Sequence, residues 1–251
     1  MNNNCAILIP IYKNELDNDE KFSINYSIPK ISNHDIYWVA PEDIDEKYYV
    51  KNFKLDKFSK FNNEYFKDIK GYNKLLTSKE FYIEFINYKY ILIFQPDALI
   101  IKDNLKYWIA QDYDYIGAPW PQGFSLPLNI DSLPLNNKIL CTSFVGNGGL
   151  SLRKTESCIN LINEFPNLSK EWREIGHAED LFFSFLGNYS LNYRIPNIFT
   201  AANFSHDIDP VYLHNLIGNK LPFGVHAWSK YNRKFWEETL NLPPEIRALK
   251  E

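Results

Sequence analysis

The 251-residue chain sets 27 Lys and Arg against 31 Asp and Glu, giving a net charge of −4 and a sequence pI near 5.8. At 45% hydrophobic and 23% charged it has the composition of a folded globular domain, which excludes disordered and fibrous classes, and the lack of a basic excess gives no support to a nucleic-acid partner. No run approaches the roughly 20 apolar residues of a membrane-spanning helix.

The N-terminal stretch MNNNCAILIPIYKNE lacks a basic n-region, and Cys5, Cys141 and Cys158 form no CxxC pair. Neither a secretory leader, nor a disulfide framework, nor a zinc knuckle is expected, and a cytoplasmic location is the simplest one. Aromatic residues make up 16% of the chain, an excess that composition does not explain.

Ala6–Ile11 and Asp35–Ala40 are continuous apolar runs closed by Pro10 and Pro41, the pattern of strands buried on both faces of a parallel sheet. Leu75, Leu76, Phe81, Ile83 and Phe85 suggest a helix over Tyr72–Phe85. Tyr90–Phe94 (YILIF) is the strongest strand, stopped by Pro96. The Pro-punctuated segment Pro119–Lys138 reads as an irregular loop, a candidate lid, while Phe144–Leu152 reads as strand and Leu181–Leu186 as helix. Strands and helices alternate early and longer loops follow, so the expected class is a single α/β domain with a mainly parallel sheet flanked by helices. Residues 101–251 are expected to carry most of the site.

Chemistry starts where the YILIF strand stops. Gln95 and Asp97 stand at its carboxyl end, where open α/β sheets place ligands, and residues two apart on extended backbone point the same way. An amide oxygen and a carboxylate could there share one divalent ion or one ribose, although Asp after Pro also suits a plain turn. In GNGGLSLRK, three glycines around Asn147 permit a close backbone approach suited to a sugar ring, with Gly148 and Gly149 at the contact; a simple hairpin turn is the other reading. Arg153 can pair with a phosphate or with the acidic residues downstream. Glu179 and Asp180 precede an apolar helical stretch, where the helix dipole alone would favour them.

The ordered succession IPIYK, GYNKLL, YILIFQPDALI, DYIGAPW, VGNGGLSLRK, AEDLFFS and LPFGVHAWSKY, from about Ile7 to Trp236, resembles a bacterial and viral family of glycosyltransferase-like proteins. That family is known only as a domain of unknown function with a GT-A type fold. Better-known GT-A enzymes carry Asp-x-Asp where this chain has Gln95-Pro96-Asp97, a departure that removes one carboxylate.

The resemblance implies a metal-dependent transferase that moves a sugar from a nucleotide-diphosphate donor to a glycan or lipid-linked glycan acceptor. It implies a division into a nucleotide-binding half, residues 1–100, and an acceptor-binding half, residues 101–251. Asp97 is then a metal ligand with Gln95 on the ribose or behind the ion, and His226 completes the metal site, its imidazole favouring Mn²⁺ over Mg²⁺. Pro10, Tyr12 and Lys13 follow the first strand, with Tyr12 on the base and Lys13 on a phosphate, and Lys74 is a further cation near the diphosphate. An inverting enzyme needs a base for the acceptor hydroxyl, which Asp180 or Glu179 would supply, with His177 a second candidate. Asn147, Trp120 and Trp228 are the expected acceptor contacts, although either tryptophan could equally be core.

Two other classes fit less well. A non-catalytic nucleotide-sugar or glycan-binding module would tolerate the missing carboxylate. A nucleotidyltransferase would need a basic Gly-rich loop after the first strand, and IPIYKNELDNDE is acidic.

Overall fold

The computed structural model describes residues 4–128, 139–243 and 246. The apolar runs become strands: β1 (Cys5–Pro10), β2 (Asp35–Pro41), β3 (Phe58–Phe61) and β4 (Tyr90–Phe94). Between them lie α1 (Asn18–Ile31), α2 (Glu46–Phe53), α3 (Ile69–Leu76) and α4 (Lys79–Glu84), with a 3-10 turn over Asn63–Phe66. Then come β5 (Leu99–Ile100), α5 (Leu105–Ala110) and two long strands, β6 (Tyr115–Leu128) and β7 (Ile139–Lys154). The rest is α6 (Thr155–Glu164), α7 (Pro166–Ile175), α8 (Glu179–Tyr189), α9 (Ile198–Phe204), β8 (Ser205–His206), α10 (Pro210–Leu216), β9 (Gly224–Val225) and α11 (Arg233–Thr239).

The main sheet has the order β3-β2-β1-β4-β7-β6. Its first four strands are parallel, as their continuous hydrophobicity requires, while β7 runs antiparallel to β4 and β6 antiparallel to β7. Alternation along the strands sorts side chains to two cores. Ala6, Leu8, Ile91 and Ile93 join Phe81, Tyr82, Phe182, Phe183 and Phe185 on one face. Ile7, Ile9, Leu92 and Phe94 join Ile24, Trp38 and Tyr49 on the other. Among the described residues no helix is long and apolar enough to cross a membrane, and the three cysteines are buried and form no disulfide.

Two expectations need correction. The helix over 72–85 is two helices, because the Ser78 hydroxyl accepts the Phe81 amide and starts α4 afresh. The loop expected from Pro119 is strand as far as Leu128, pairing with β7 from Pro119↔Val145 to Leu128↔Ile139; residues 129–138 lie outside the described part. Its prolines mislead because β6 is an edge strand, where a missing N–H costs no ladder bond, and its register slips between Ile116 and Phe124 absorb the irregularity.

Leu92 lies at the centre of β4 with no exposed surface. Leu92→Ala should lower the unfolding free energy by about 2–5 kcal/mol in urea titration, with an unchanged slope.

Candidate functional site

Three strand registers bring distant residues to one point. Pairing of Phe94 with Leu150 sets Gln95 beside Gly149, whose carbonyl accepts the Gln95 amide at 3.0 Å. Antiparallel pairing of Leu99 with Val225 carries the neighbouring Asp97 toward His226, and parallel pairing of His206 with Val225 sets Asp207 alongside it. The short strands β5, β9 and β8 thus act as a jig.

His226 Nδ1 lies 2.9 Å from Asp207 Oδ2, and Nε2 lies 2.9 Å from Gln95 Oε1 and 3.3 Å from Asp97 Oδ1. Burial opposes charge on this ring, but the hydrogen bonds and charges of Asp207 and Asp97 outweigh it and push the imidazole up to about 10. Burial acts to raise Asp97, and the stronger pull of His226 holds its carboxyl below the ordinary range. The Asp97 side chain stays 40% exposed, open to the adjoining cleft.

With Nδ1–H donated to Asp207, Nε2 faces Gln95 Oε1 and Asp97 Oδ1, and a proton or a metal ion among the three would satisfy all of them. The donor set of imidazole nitrogen, carboxylate and amide oxygen is one that could take part in holding a divalent ion. It fits as a partial site: among the described residues no group of three or more His, Cys, Asp or Glu side chains could hold an ion by itself. The remaining positions are left to ligand oxygens.

Beside this cluster a cleft of about 360 Å³ is lined by Pro10, Ile11 and Tyr12 after β1, Glu20 of α1, Phe66–Ile69 and Tyr72 around the start of α3, and Gln95–Asp97. Tyr12 is 65% exposed and presents its ring. Lys13 does not turn to the cleft as expected: its ammonium is 2.7 Å from Glu20 and 3.5 Å from Asp17, the capping box of α1. Lys74, expected near a diphosphate, is absent from the lining, and Lys67 stands there in its place. The charged lining residues are Glu20, Asp68 and Asp97 against Lys67, an acidic balance.

On the far side of β7 the expected carboxylate pair divides. Arg153 is fully buried and holds Glu179 through both guanidinium nitrogens, at 2.7 and 2.9 Å, so it is not free for a phosphate and Glu179 is not free as a base. Asp180 accepts from Gly148 N at 3.3 Å and Leu181 N at 2.8 Å. Burial first, and then the Glu179 charge, push its carboxyl up to about 7. His177 is exposed and rests its ring on Trp172.

The glycines do a different job from the one expected. A β-carbon on Gly149 would lie 2.2 Å from His226 Nε2, and one on Gly148 would lie 2.6 Å from Glu179 Oε1. They admit the site's own side chains, where a sugar contact was expected. Asn147 is half-buried, its carbonyl oxygen near Gly149 N. Neither tryptophan offers an open face: Trp228 is fully buried with Nε1 donating to Ser23, and Trp120 is 8% exposed, wedged between Gly146 and Phe124.

Sequence reasoning missed Asp207, Glu20, Lys67, Asp68 and Tyr72 as site residues. Tyr72 lies inside the quoted GYNKLL segment, and the other four carry no pattern that separates them from surface polar residues.

The family described as "Protein of unknown function (DUF5672)" matches residues 56–226, more than half of the chain. No curated protein matches the sequence. Among solved structures, mouse xyloside xylosyltransferase 1 in its apo form is similar with a TM-score of 0.52 at 9% identity, over 88% of this chain and 96% of that one. Galactosyltransferase LgtC with donor and acceptor sugar analogs is similar with a TM-score of 0.50 at 12% identity, over 97% of this chain and 99% of that one. At such identities the likeness concerns the fold, which is that of the GT-A glycosyltransferases.

Gly149→Ala tests how tightly the imidazole is seated. The added methyl group should displace His226 from Gln95 and Asp97, seen as a changed His226 imidazole environment by NMR, in a protein that still folds; an unchanged signal would contradict the packing.

Proposed function

The chain belongs to this family of proteins of unknown function, and within its GT-A fold we propose that it transfers a sugar from a nucleoside-diphosphate donor to a carbohydrate acceptor, with help from a divalent cation. The observation that carries the reading is the convergence of Gln95, Asp97 and His226 beside a cleft walled by Tyr12, with a proton-accepting carboxylate, Asp180, across Gly148 and Gly149.

Each residue has a role that its chemistry supports. Tyr12 offers a flat ring on which a base can stack. Glu20 is already paired with Lys13, and Asp97 and His226 are the groups that would hold a cation there, with Gln95 contributing its amide oxygen. When bound, such an ion neutralises charge on a departing diphosphate. Asp207 fixes the tautomer and orientation of His226 from behind. Asp180 takes the proton of the acceptor hydroxyl, and Asn147 on the same strand offers a donor and an acceptor to sugar hydroxyls. With Glu179 committed to Arg153, Asp180 acts alone, and we take the displacement to be a single inverting step. The raised proton affinity of Asp180 favours an enzyme over a non-catalytic module, since a binding module has no need of a carboxylate that titrates near neutrality.

Calorimetry with nucleoside diphosphates, with and without Mn²⁺, tests the reading directly. Binding should require Mn²⁺ and vanish in Asp97→Ala while the circular dichroism stays native; no binding, or binding indifferent to the metal, would overturn it. Asp180→Asn should lower kcat by about 10²- to 10⁴-fold with donor affinity nearly unchanged. Wild-type kcat should rise with pH to a plateau above about 7, as the Asp180 carboxylate forms.

The same titration acts on stability. Between the ordinary value of 3.8 and about 7 the folded chain keeps a proton that the unfolded chain releases, so stability falls as pH rises through that window. Asp180→Asn should therefore raise Tm relative to wild type at pH 8, and do so less at pH 4.

A further inference from the structure

The guanidinium of Arg153 is engaged on every side. Besides both Glu179 oxygens, Nη1 meets the Tyr82 hydroxyl at 3.1 Å and Nε donates to Ser151 Oγ at 3.0 Å. Its carbon lies 5.0 Å from the Tyr115 ring centroid and 5.5 Å from that of Phe183. A buried ion pair must repay a large desolvation cost, and an apolar pair of similar volume would often stabilise a fold as well or better. Stability alone is therefore a poor account of this one, and its placement offers a better account.

Glu179 opens α8, and Asp180 is the next residue. Arg153 lies on β7, so the pair ties the first turn of α8 to the strand that carries Gly148 and Asn147. A β-carbon at Gly148 would lie 2.6 Å from Glu179 Oε1, 3.0 Å from an Arg153 nitrogen and 3.1 Å from Asp180 Cβ, so the three groups meet on one backbone position. The Glu179 carboxylate is thereby held beside that of Asp180.

We propose that Arg153 and Glu179 are positioning residues for Asp180, the guanidinium fixing the first turn of α8 and holding the Glu179 carboxylate beside its neighbour. The inference deepens the reading of Asp180 as the base, and only its consequence for transfer rests on that reading. The titratable groups around this point are Glu179 on α8, Arg153 on β7, Tyr82 on α4, Tyr115 on β6, Tyr72 on α3 and Cys158 on α6. Burial and, where present, neighbouring negative charge hold the tyrosines and the thiol in their neutral forms, so Glu179 and Arg153 are the charges that act on Asp180. They act in opposite directions, with Glu179 the stronger.

The test is a ¹³C-carboxyl NMR titration of the whole protein, with the Asp180 signal assigned by its loss in D180N. In E179Q, Asp180 should bind its proton about tenfold less tightly than in wild type. In R153M it should bind more tightly, and in Y82F, which keeps both charges, its midpoint should stay in place. An Asp180 midpoint that does not move in a folded E179Q or R153M overturns the proposal. Should neither single variant fold, the charge-free R153M/E179L replaces them; its midpoint should fall below wild type, because the stronger of two opposed charges has gone, and an unmoved midpoint is again fatal. Transfer assays separate this inference from the assigned function. The pH profile of kcat should shift with the NMR midpoint, whereas full activity in D180N alongside intact NMR shifts would remove Asp180 as the base and leave the tuning pair standing.

Discussion

At Gly146, Gly148 and Gly149 strand β7 has no room for a β-carbon, and the site is arranged around that fact. His226 sits on Gly149, Glu179 and Asp180 on Gly148, and Ser184 with Trp120 on Gly146, while the Gly117 position on the neighbouring strand is closed by the Asn147 carbonyl. Each glycine in a strand weakens it by about 0.5–1 kcal/mol relative to alanine. The loss is tolerable because β7 is paired on both sides, with β4 and β6, and its backbone is fixed before any side chain is considered. What the glycines gain is proximity: a histidine from near the end of the chain and a carboxylate from α8 approach the same few peptide groups.

The electrostatics follow from that proximity. His226 already has a carboxylate on each ring nitrogen, Asp207 behind and Asp97 in front. A third carboxylate at position 95 would crowd three negative charges round one imidazole, and the amide of Gln95 supplies an oxygen without the charge. On the proposed function, a cation would find fewer negative ligands in the protein alone, and more of its binding would fall to a diphosphate. Departure from Asp-x-Asp and possession of the buried Asp207 are in this sense a single arrangement, with one anion moved from the cleft to the back of the ring.

Much of the fold was legible because the local pattern and the tertiary environment agreed. The YILIF strand is β4 to the residue, the strand at Ala6 is offset from β1 by one residue at each end, and the strand at Asp35 differs from β2 by one residue at its end, since buried parallel strands leave continuous apolar runs. The long β6–β7 hairpin was not legible, because Pro119, Pro121 and Pro127 carry the signature of a loop unless the strand is known to be an edge. In the candidate site, Gln95, Asp97, His226 and Asp180 could be singled out since each stands at a recognisable boundary or within a recognisable motif. Asp207 could not, for its role exists only through the pairing of β8 with β9. Arg153 illustrates a different limit: the sequence leaves a phosphate and the downstream acidic pair both open as its partner, and only the buried contact with Glu179 decides for the second.

Burial of charge also accounts for much of the aromatic excess. Tyr82, Tyr115 and Phe183 enclose the Arg153 guanidinium, and Phe182 and Phe185 extend the same layer beneath α8. Rings suit this task because their faces attract a cation while their bulk excludes water, and the Tyr82 hydroxyl and Ser151 Oγ take up further guanidinium donors. A dry surrounding strengthens every charge it encloses, and Asp180 lies at its edge. The apolar layer that makes the domain fold is therefore also what raises the proton affinity of Asp180, and a change to one is a change to the other.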